Sequence, residues 1–369
     1  MILRVPKVNT CFKCGLLVLM MKVVLSASDI IPIDDLVDNV LSVIGIFLLF
    51  LSVIRIKHKL ITYIAFITLA LLGVYTSFRM GNLSIMMSIA ICIAAYKQEK
   101  KEIIRLLLAY ESIFLIIHTI LAVITSLLGR ENYINISGQW CYTFGFGHPN
   151  SFSYLLINVL LMWTWMNFDR LKMRHFLVQF GLIGLDVLFT GTRTAIVIMI
   201  VVLLLVFYVK QRNHDLSLLI KFFFPIITIG HFLINYLYIK QSAIANYLNM
   251  TLSGRIKLGA YWLERKCISF FGQNVQDDMA IWSEQWQLSG EVPMDNMYNY
   301  VIISCGIIWL VVLSVLLYRA AYKKSGRDNI FIILWMLYGI VEIHGLNPIM
   351  MFALFLFTGE NKSMRNGHG

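Results

Sequence analysis

Charge is scarce in this chain: only 14% of its 369 residues are Asp, Glu, Lys or Arg, against about 25% in a soluble globular protein. That shortage excludes an ordinary water-soluble fold. Acidic residues are the scarcer sign, 20 against 31 basic. The resulting net charge of +11 does not mark a nucleic-acid binder, because the basic residues sit in short connections between apolar runs. The positive-inside rule produces that distribution, so no nucleic-acid partner is expected. Alternating segments of about ten residues, the mark of a membrane β-barrel, are missing. Cysteine is sparse and scattered. Cys11-Phe12-Lys13-Cys14 is a CxxC with no second pair to complete a zinc site. Cys92 and Cys305 lie in apolar runs and read as packing residues, whereas Cys141 and Cys267 lie in outward connections and admit a disulfide. There is no P-loop, nucleophile elbow, metal-ligand spacing or internal repeat.

What the chain has is apolar length. Its mean hydropathy is +0.75, and runs near 20 residues recur throughout, enough for a helix to cross a bilayer. The candidate spans are 15–32, 36–54, 60–78, 82–96, 103–128, 150–168, 175–190, 194–209, 216–239, 297–318, 329–343 and 346–358. The expected fold is therefore all-α: one polytopic integral-membrane domain over residues 1–369, with about twelve transmembrane helices. Every second connection is basic: Arg55–Lys59, Lys97–Arg105, Arg170–Arg174, Lys210–Arg212 and Arg319–Arg327. These are placed in the cytoplasm, and with the first stretch counted as a span both termini are cytoplasmic too. The intervening connections then face outward. The longest is a large extracytoplasmic loop over 240–296, apolar enough in places to hold one or two amphipathic helices.

Polar residues cluster at that outward face. Phe146-Gly147-His148-Pro149-Asn150 opens a span; Pro149 suits the first helical turn, Asn150 or Ser151 suits its cap, and the helix start favours an anion. Thr190-Gly191-Thr192-Arg193 joins two spans so tightly that Arg193 lies at the membrane boundary. A charge there is costly unless it is paired or serves a ligand. Asp186, two helical turns earlier, is its expected partner, and a planar guanidinium suits bidentate phosphate binding. The outer loop carries Ser253-Gly254-Arg255 near its start and Asp295-Asn296-Met297-Tyr298 at its end. Asp295 and Asn296 read either as a helix cap or, for Asp295, as a base that takes a proton from a hydroxyl. Glu342 and His344, beside Gly345-Leu346-Asn347-Pro348, break the last apolar stretch and suit sugar hydroxyls. Glu111 and His118 share one face of a span, as a buried pair, a cavity lining or a proton relay.

In order and on a common face, these clusters resemble those of bacterial O-antigen and capsular polysaccharide polymerases, the family that also includes the O-antigen ligases. The resemblance covers the layout of roughly residues 60–358. It implies a membrane glycosyltransferase in the bacterial cytoplasmic membrane, active at the extracytoplasmic face. Its substrates are implied to be undecaprenyl-diphosphate oligosaccharides. Arg193 and Arg255 would hold the diphosphate; Asp295, His148 or His344 would act on the attacking hydroxyl. Asn150, Asn296, Tyr298, Glu342 and His344 would bind substrate. No cofactor or metal is implied, since two arginines neutralise the leaving group. Membrane lipids, and the flippase and chain-length regulator of the same pathway, are the implied partners. The chain departs from the family at two points. Asp295 stands where the ligases carry a functional His, and neither Arg193 nor Arg255 is followed eleven residues later by Gly: Leu204 and Lys266 stand there. A ligase acting on another acceptor and a flippase of lipid-linked glycan remain alternatives.

Overall fold

The structure, a computed structural model, describes residues 8–136, 138–212, 216–275, 279–283, 286–321 and 326–358. Lys323 and Lys324 of the last basic connection lie outside the described residues. The chain is mostly helical. Among the described residues six helices are long and apolar enough to cross a membrane: α2 (Asp35–Ile54), α3 (Leu60–Met80), α5 (Lys100–Leu127), α7 (Met173–Thr190), α8 (Thr194–Arg212) and α9 (Ser217–Ile239). Shorter helices are α1 (Thr10–Ser26), α4 (Ser84–Ala95), α6 (Pro149–Met166), α10 (Ala243–Thr251), α11 (Arg255–Arg265), α13 (Ile307–Ala321) and α14 (Gly326–Tyr338). The loop over 240–296 holds α10 and α11, as its apolar residues predict. It also holds a β-hairpin, β3 (Met279–Ser283) with β4 (Leu288–Glu291), and a second hairpin pairs β1 (Tyr133–Ile136) with β2 (Gln139–Tyr142). Both hairpins are short, and the mostly helical chain is consistent with the all-α expectation.

The chain forms two compact units. The first comprises residues 1–63, 87–212 and 348–369. Its α1 and α2 are an antiparallel pair in which each helix presents a glycine to a leucine of the other. A Cβ on Gly45 would lie 2.4 Å from Leu19 Cδ2, and one on Gly15 would lie 3.0 Å from Leu49 Cγ. Bare backbone allows the close approach that holds helices together in lipid, where no hydrophobic force drives association. Lys22, a charge within the otherwise apolar α1, pairs with Asp38 of α2 at 3.2 Å. The end of α1 is stitched to the start of α6: Ser28 and Phe146 form an antiparallel bridge. His118 of α5 fastens it, with Nδ1 donating to Phe144 O at 3.1 Å, Nε2 2.8 Å from Ser28 Oγ, and its ring stacked on Phe146.

The stretch 346–358 is not the helical span expected. It contains a 3-10 turn at Phe352–Leu354 and a four-residue helix, α15 (Phe355–Thr358). Pro348 lacks an N–H and disfavours helix for the residue before it. Buried Asn158 of α6 then stands in for helical partners: its Nδ2 donates to Ile349 O at 3.0 Å, and its Oδ1 accepts from Phe352 N at 3.2 Å. The same Nδ2 donates to Glu111 Oε2 at 2.8 Å. Glu111 and His118 are thus both buried but engage different partners rather than each other.

The second unit comprises residues 64–86 and 213–347. The stretch 297–318, expected as one span, starts as a short α12 (Met297–Asn299), continues as a π-helical turn over Tyr300–Cys305 and breaks at Gly306 before α13. An irregular segment over 269–273 docks at the break. Ile307 N donates to Ser269 O, Ile308 N to Phe270 O and Gln273 N to Ser304 O. Backbone groups orphaned by the break are satisfied there, as apolar surroundings require.

Candidate functional site

Each unit brings together motifs that lie far apart in the chain. In the first unit, α6 begins at Pro149 as expected, but its cap is His148, not Asn150 or Ser151. Extended His148 turns its Nδ1 to accept from Asn150 N at 3.2 Å, while its ring stays exposed. Asn150, released from capping, accepts from Thr192 Oγ1 at 3.0 Å. This bond fastens the start of α6 to the α7–α8 connection. Below it lies a buried hydroxyl–carboxyl cluster: Ser153 Oγ donates to Asp186 Oδ1 at 2.8 Å and lies 3.1 Å from Thr190 Oγ1. Asp186 is therefore committed to hydroxyls and is not the partner of Arg193. Gly191 turns the chain out of α7 in the left-handed region, φ +71°, with its Cα facing Cys141 Sγ so closely that a Cβ would lie 3.1 Å from the sulfur. Arg193 follows, exposed and without an ion pair among the described residues. Its charge is available to an anion.

In the second unit, Ser253 and Gly254 both adopt the left-handed region and start α11 at Arg255. Arg255 Nη2 lies 3.4 Å from Glu342 Oε1, with side chains 16% and 13% exposed. At that length the pair is loose, and Arg255 Nε is buried without a hydrogen-bond partner. Glu342 and His344 lie past the end of α14, outside the helical spans. Burial pushes the Glu342 carboxyl up to about 7; the Arg255 guanidinium pulls the other way, and the Asp295 carboxylate adds to the rise. Burial lowers His344 to about 4, so it is neutral at physiological pH. Arg255, Glu342 and Asp295 thus form one electrostatic group, half-shielded from water, drawn from three separate stretches of sequence.

Two expected substrate-binding residues are placed inside the packing. Asn296 caps α12, its Oδ1 accepting from Asn299 N at 2.8 Å. That orientation leaves Nδ2 to donate to His231 Nε2 at 2.6 Å. Tyr298 is 1% exposed and its hydroxyl donates to Met336 O at 2.7 Å. Neither offers a free polar atom to a sugar. Asp295 is half-exposed and does not cap.

His231 and Asn235 of α9 belong to the same neighbourhood. Asn235 Nδ2 donates to Asn299 Oδ1 at 3.0 Å, and a Cβ on Gly259 of α11 would strike both asparagines. Thr228, His231 and Asn235 share one face of an otherwise apolar helix. Polar groups at such spacing in a span are the signal that would have found them, because they persist in lipid only with partners. All six cysteines are free thiols, Cys141 buried and Cys267 exposed, so the disulfide admitted by sequence is not formed. No family model matches the chain, and neither does any curated protein or solved structure.

Proposed function

We propose that the chain is a membrane glycosyltransferase that polymerises lipid-diphosphate-linked oligosaccharide repeat units into a cell-surface polysaccharide. The observation that carries this reading is the Arg255–Glu342–Asp295 group: a fixed cation with an unused guanidinium N–H, beside a carboxyl poised to exchange a proton near neutral pH. In the proposed topology about twelve apolar stretches enter the membrane, 346–358 as a short non-helical segment, and the 240–296 loop faces outward. The membrane is the bacterial cytoplasmic membrane, and the lipid carrier is undecaprenyl diphosphate.

In the reaction, a hydroxyl oxygen of the acceptor sugar attacks the anomeric carbon of the donor. The bond from that carbon to the diphosphate breaks, and the lipid diphosphate leaves with the electron pair. Arg255 stabilises the charge growing on it, an electrostatic effect strengthened by partial burial. Glu342, with Asp295 beside it, takes the hydroxyl proton. A polymerase handles two lipid diphosphates, donor and acceptor; exposed Arg193, fixed by the Asn150–Thr192 bond, provides the second phosphate-binding cation.

The test is purified full-length protein with lipid-diphosphate-linked repeat units and no nucleotide sugar, with product length read on a gel. A ladder supports the reading, and Arg193→Ala should erase it while leaving the protein folded. Arg193→Lys should also fail if bidentate phosphate binding matters. Full-length polymer from Arg193→Ala would remove that residue from the mechanism.

Activity should depend on pH in a defined direction. The base form of Glu342 is needed, so the rate should climb through an acid limb near pH 7. Asp295→Asn removes a like charge that holds the carboxyl up, so the limb should move to lower pH. A limb that stays put in that variant, or that survives Glu342→Gln, would reassign the base. The sign for stability is opposite to that for rate. A carboxyl raised by folding contributes fully below its ordinary range, and that contribution is lost as pH rises through about 7.

A flippase of lipid-linked glycan is the second reading, and one observation favours it. Glu111, Asn158 and the buried turn at Ile349, whose carbonyl accepts from Asn158, place a buried carboxyl against interrupted backbone, an arrangement transporters use at their ion sites. The same preparation in vesicles separates the two: translocated, unpolymerised substrate means transport.

A further inference from the structure

A cleft of about 410 Å³ opens where α6 ends and α7 begins, lined by Trp163, Asn167, Arg170, Lys172, Arg174 and His175. Its volume falls in the range of small-molecule sites, about 300–1,000 Å³. It is remote from the Asn150–Thr192 contact of the same unit. Asn150 and Thr192 stand at the other ends of α6 and α7, roughly 25 Å away along helices of 18 residues.

The walls are held by local bonds that leave the charges unused. Asn167 Nδ2 donates to Trp163 O at 2.9 Å, closing the end of α6. Lys172 N donates to His175 Nδ1 at 3.0 Å, so the histidine serves as a turn acceptor, and its ring meets Trp163 edge-on at 5.5 Å. Arg170, Lys172 and Arg174 have no ion pair among the described residues and are exposed. The first turn of α7 has no acidic residue, so its positive end adds to the same field. Asp169 is the single acid between 163 and 175, and it does not line the cleft.

Three unpaired cations around a cavity, at the positive end of a helix, select an anion. Its position selects which one. Below the cleft runs an apolar stripe on α7, exposed at Leu177, Gly181 and Leu188 and half-buried at Gly184, spaced at helical period. A Cβ on either glycine would meet nothing within 4 Å. The stripe is therefore a shallow trough leading from the charged cleft along a helix apolar enough to span a bilayer. A free phosphate would use only the cleft; a diacyl phospholipid uses both, headgroup above and chain below, with Trp163 at the interface between them.

We propose that this cleft is a binding site for the phosphodiester headgroup of an anionic glycerophospholipid, with an acyl chain lying in the Gly181–Gly184 trough. It is separate from the proposed transferase chemistry and stands without it.

The test is native mass spectrometry of the full-length protein in detergent, titrated in turn with phosphatidylglycerol, phosphatidylcholine and inorganic phosphate. One phosphatidylglycerol should bind, and phosphatidylcholine should not at tenfold higher concentration. Each basic residue near a membrane surface adds about 1 kcal/mol toward an anionic lipid. R170Q/K172Q/R174Q should therefore weaken binding about 100-fold. R55Q/K57Q/K59Q, which removes equal charge from another basic connection, should leave it unchanged. If the triple variant fails to fold, Arg174→Gln alone should show a loss of about fivefold. Equal weakening in both triple variants would overturn the site in favour of general attraction. Equal binding of phosphatidylcholine, or inorganic phosphate bound as tightly as the lipid, would overturn the lipid assignment.

Discussion

Arg255→Ala is expected to lower polymerisation by about 10²–10³-fold, the usual effect of removing one preorganised donor from a developing negative charge. Two consequences act together. The departing diphosphate loses its cation, and Glu342 loses the charge that pulls its carboxyl down. Less of Glu342 is then in its base form at neutral pH. Arg255→Lys separates the two. It keeps a charge near Glu342 but discards the planar fork and the buried Nε–H that Arg255 leaves unpaired. The lysine variant should hold the acid limb of the pH profile near its original place while losing rate. A double variant, Arg255→Ala with Glu342→Gln, should be little worse than Arg255→Ala alone, because each member is useless without the other. Protein carrying Arg255→Ala that is folded and still produces the wild-type ladder at the wild-type rate would dismiss the arginine from catalysis.

Helix positions were largely readable because they rest on run length. The apolar stretches become α2, α3, α5, α7, α8 and α9 within a few residues, and Pro149 takes the first turn of α6 as its missing N–H permits. Interruptions were less readable. The run 297–318 carries one glycine amid apolar residues, and composition alone does not distinguish a tolerated helix glycine from a break. The break depends on the segment at 269–273 arriving to satisfy the freed backbone, a contact invisible to local pattern. Likewise, nothing near Asn158 signals that it replaces the helical bonds of 349–352. The polar motifs were found, but their use was not. Asn296 and Tyr298 have the chemistry of sugar ligands, and the structure spends it on His231 and on Met336 O instead. Residue type sets what a side chain is able to bind, whereas the partner is decided by which helix lies opposite.

Gly306→Ala is expected to be the most damaging small substitution in the second unit, and the reason is local. Gly306 has φ +98° and ψ 162°, a region essentially confined to glycine and costing other residues about 1–3 kcal/mol. A Cβ there would also lie 2.5 Å from Gly272 N and 2.6 Å from Phe270 O. Both are backbone atoms of the docked segment, so no side chain is able to swing away. Overpacking of this kind adds about 1–3 kcal/mol. Relief requires the segment to leave, which strips Ile307 N and Ile308 N of their acceptors in an apolar setting. Gly129→Ala is the control: its φ is +90°, but a Cβ there meets nothing within 4 Å. That variant bears the backbone strain without the collision and should cost about 1 kcal/mol. Thermal unfolding in detergent should therefore rank Gly306→Ala well below Gly129→Ala. Protease should also cut between 266 and 275 in the first and not in the second. If both variants melt alike and resist protease alike, the segment at 269–273 is not what closes the broken helix.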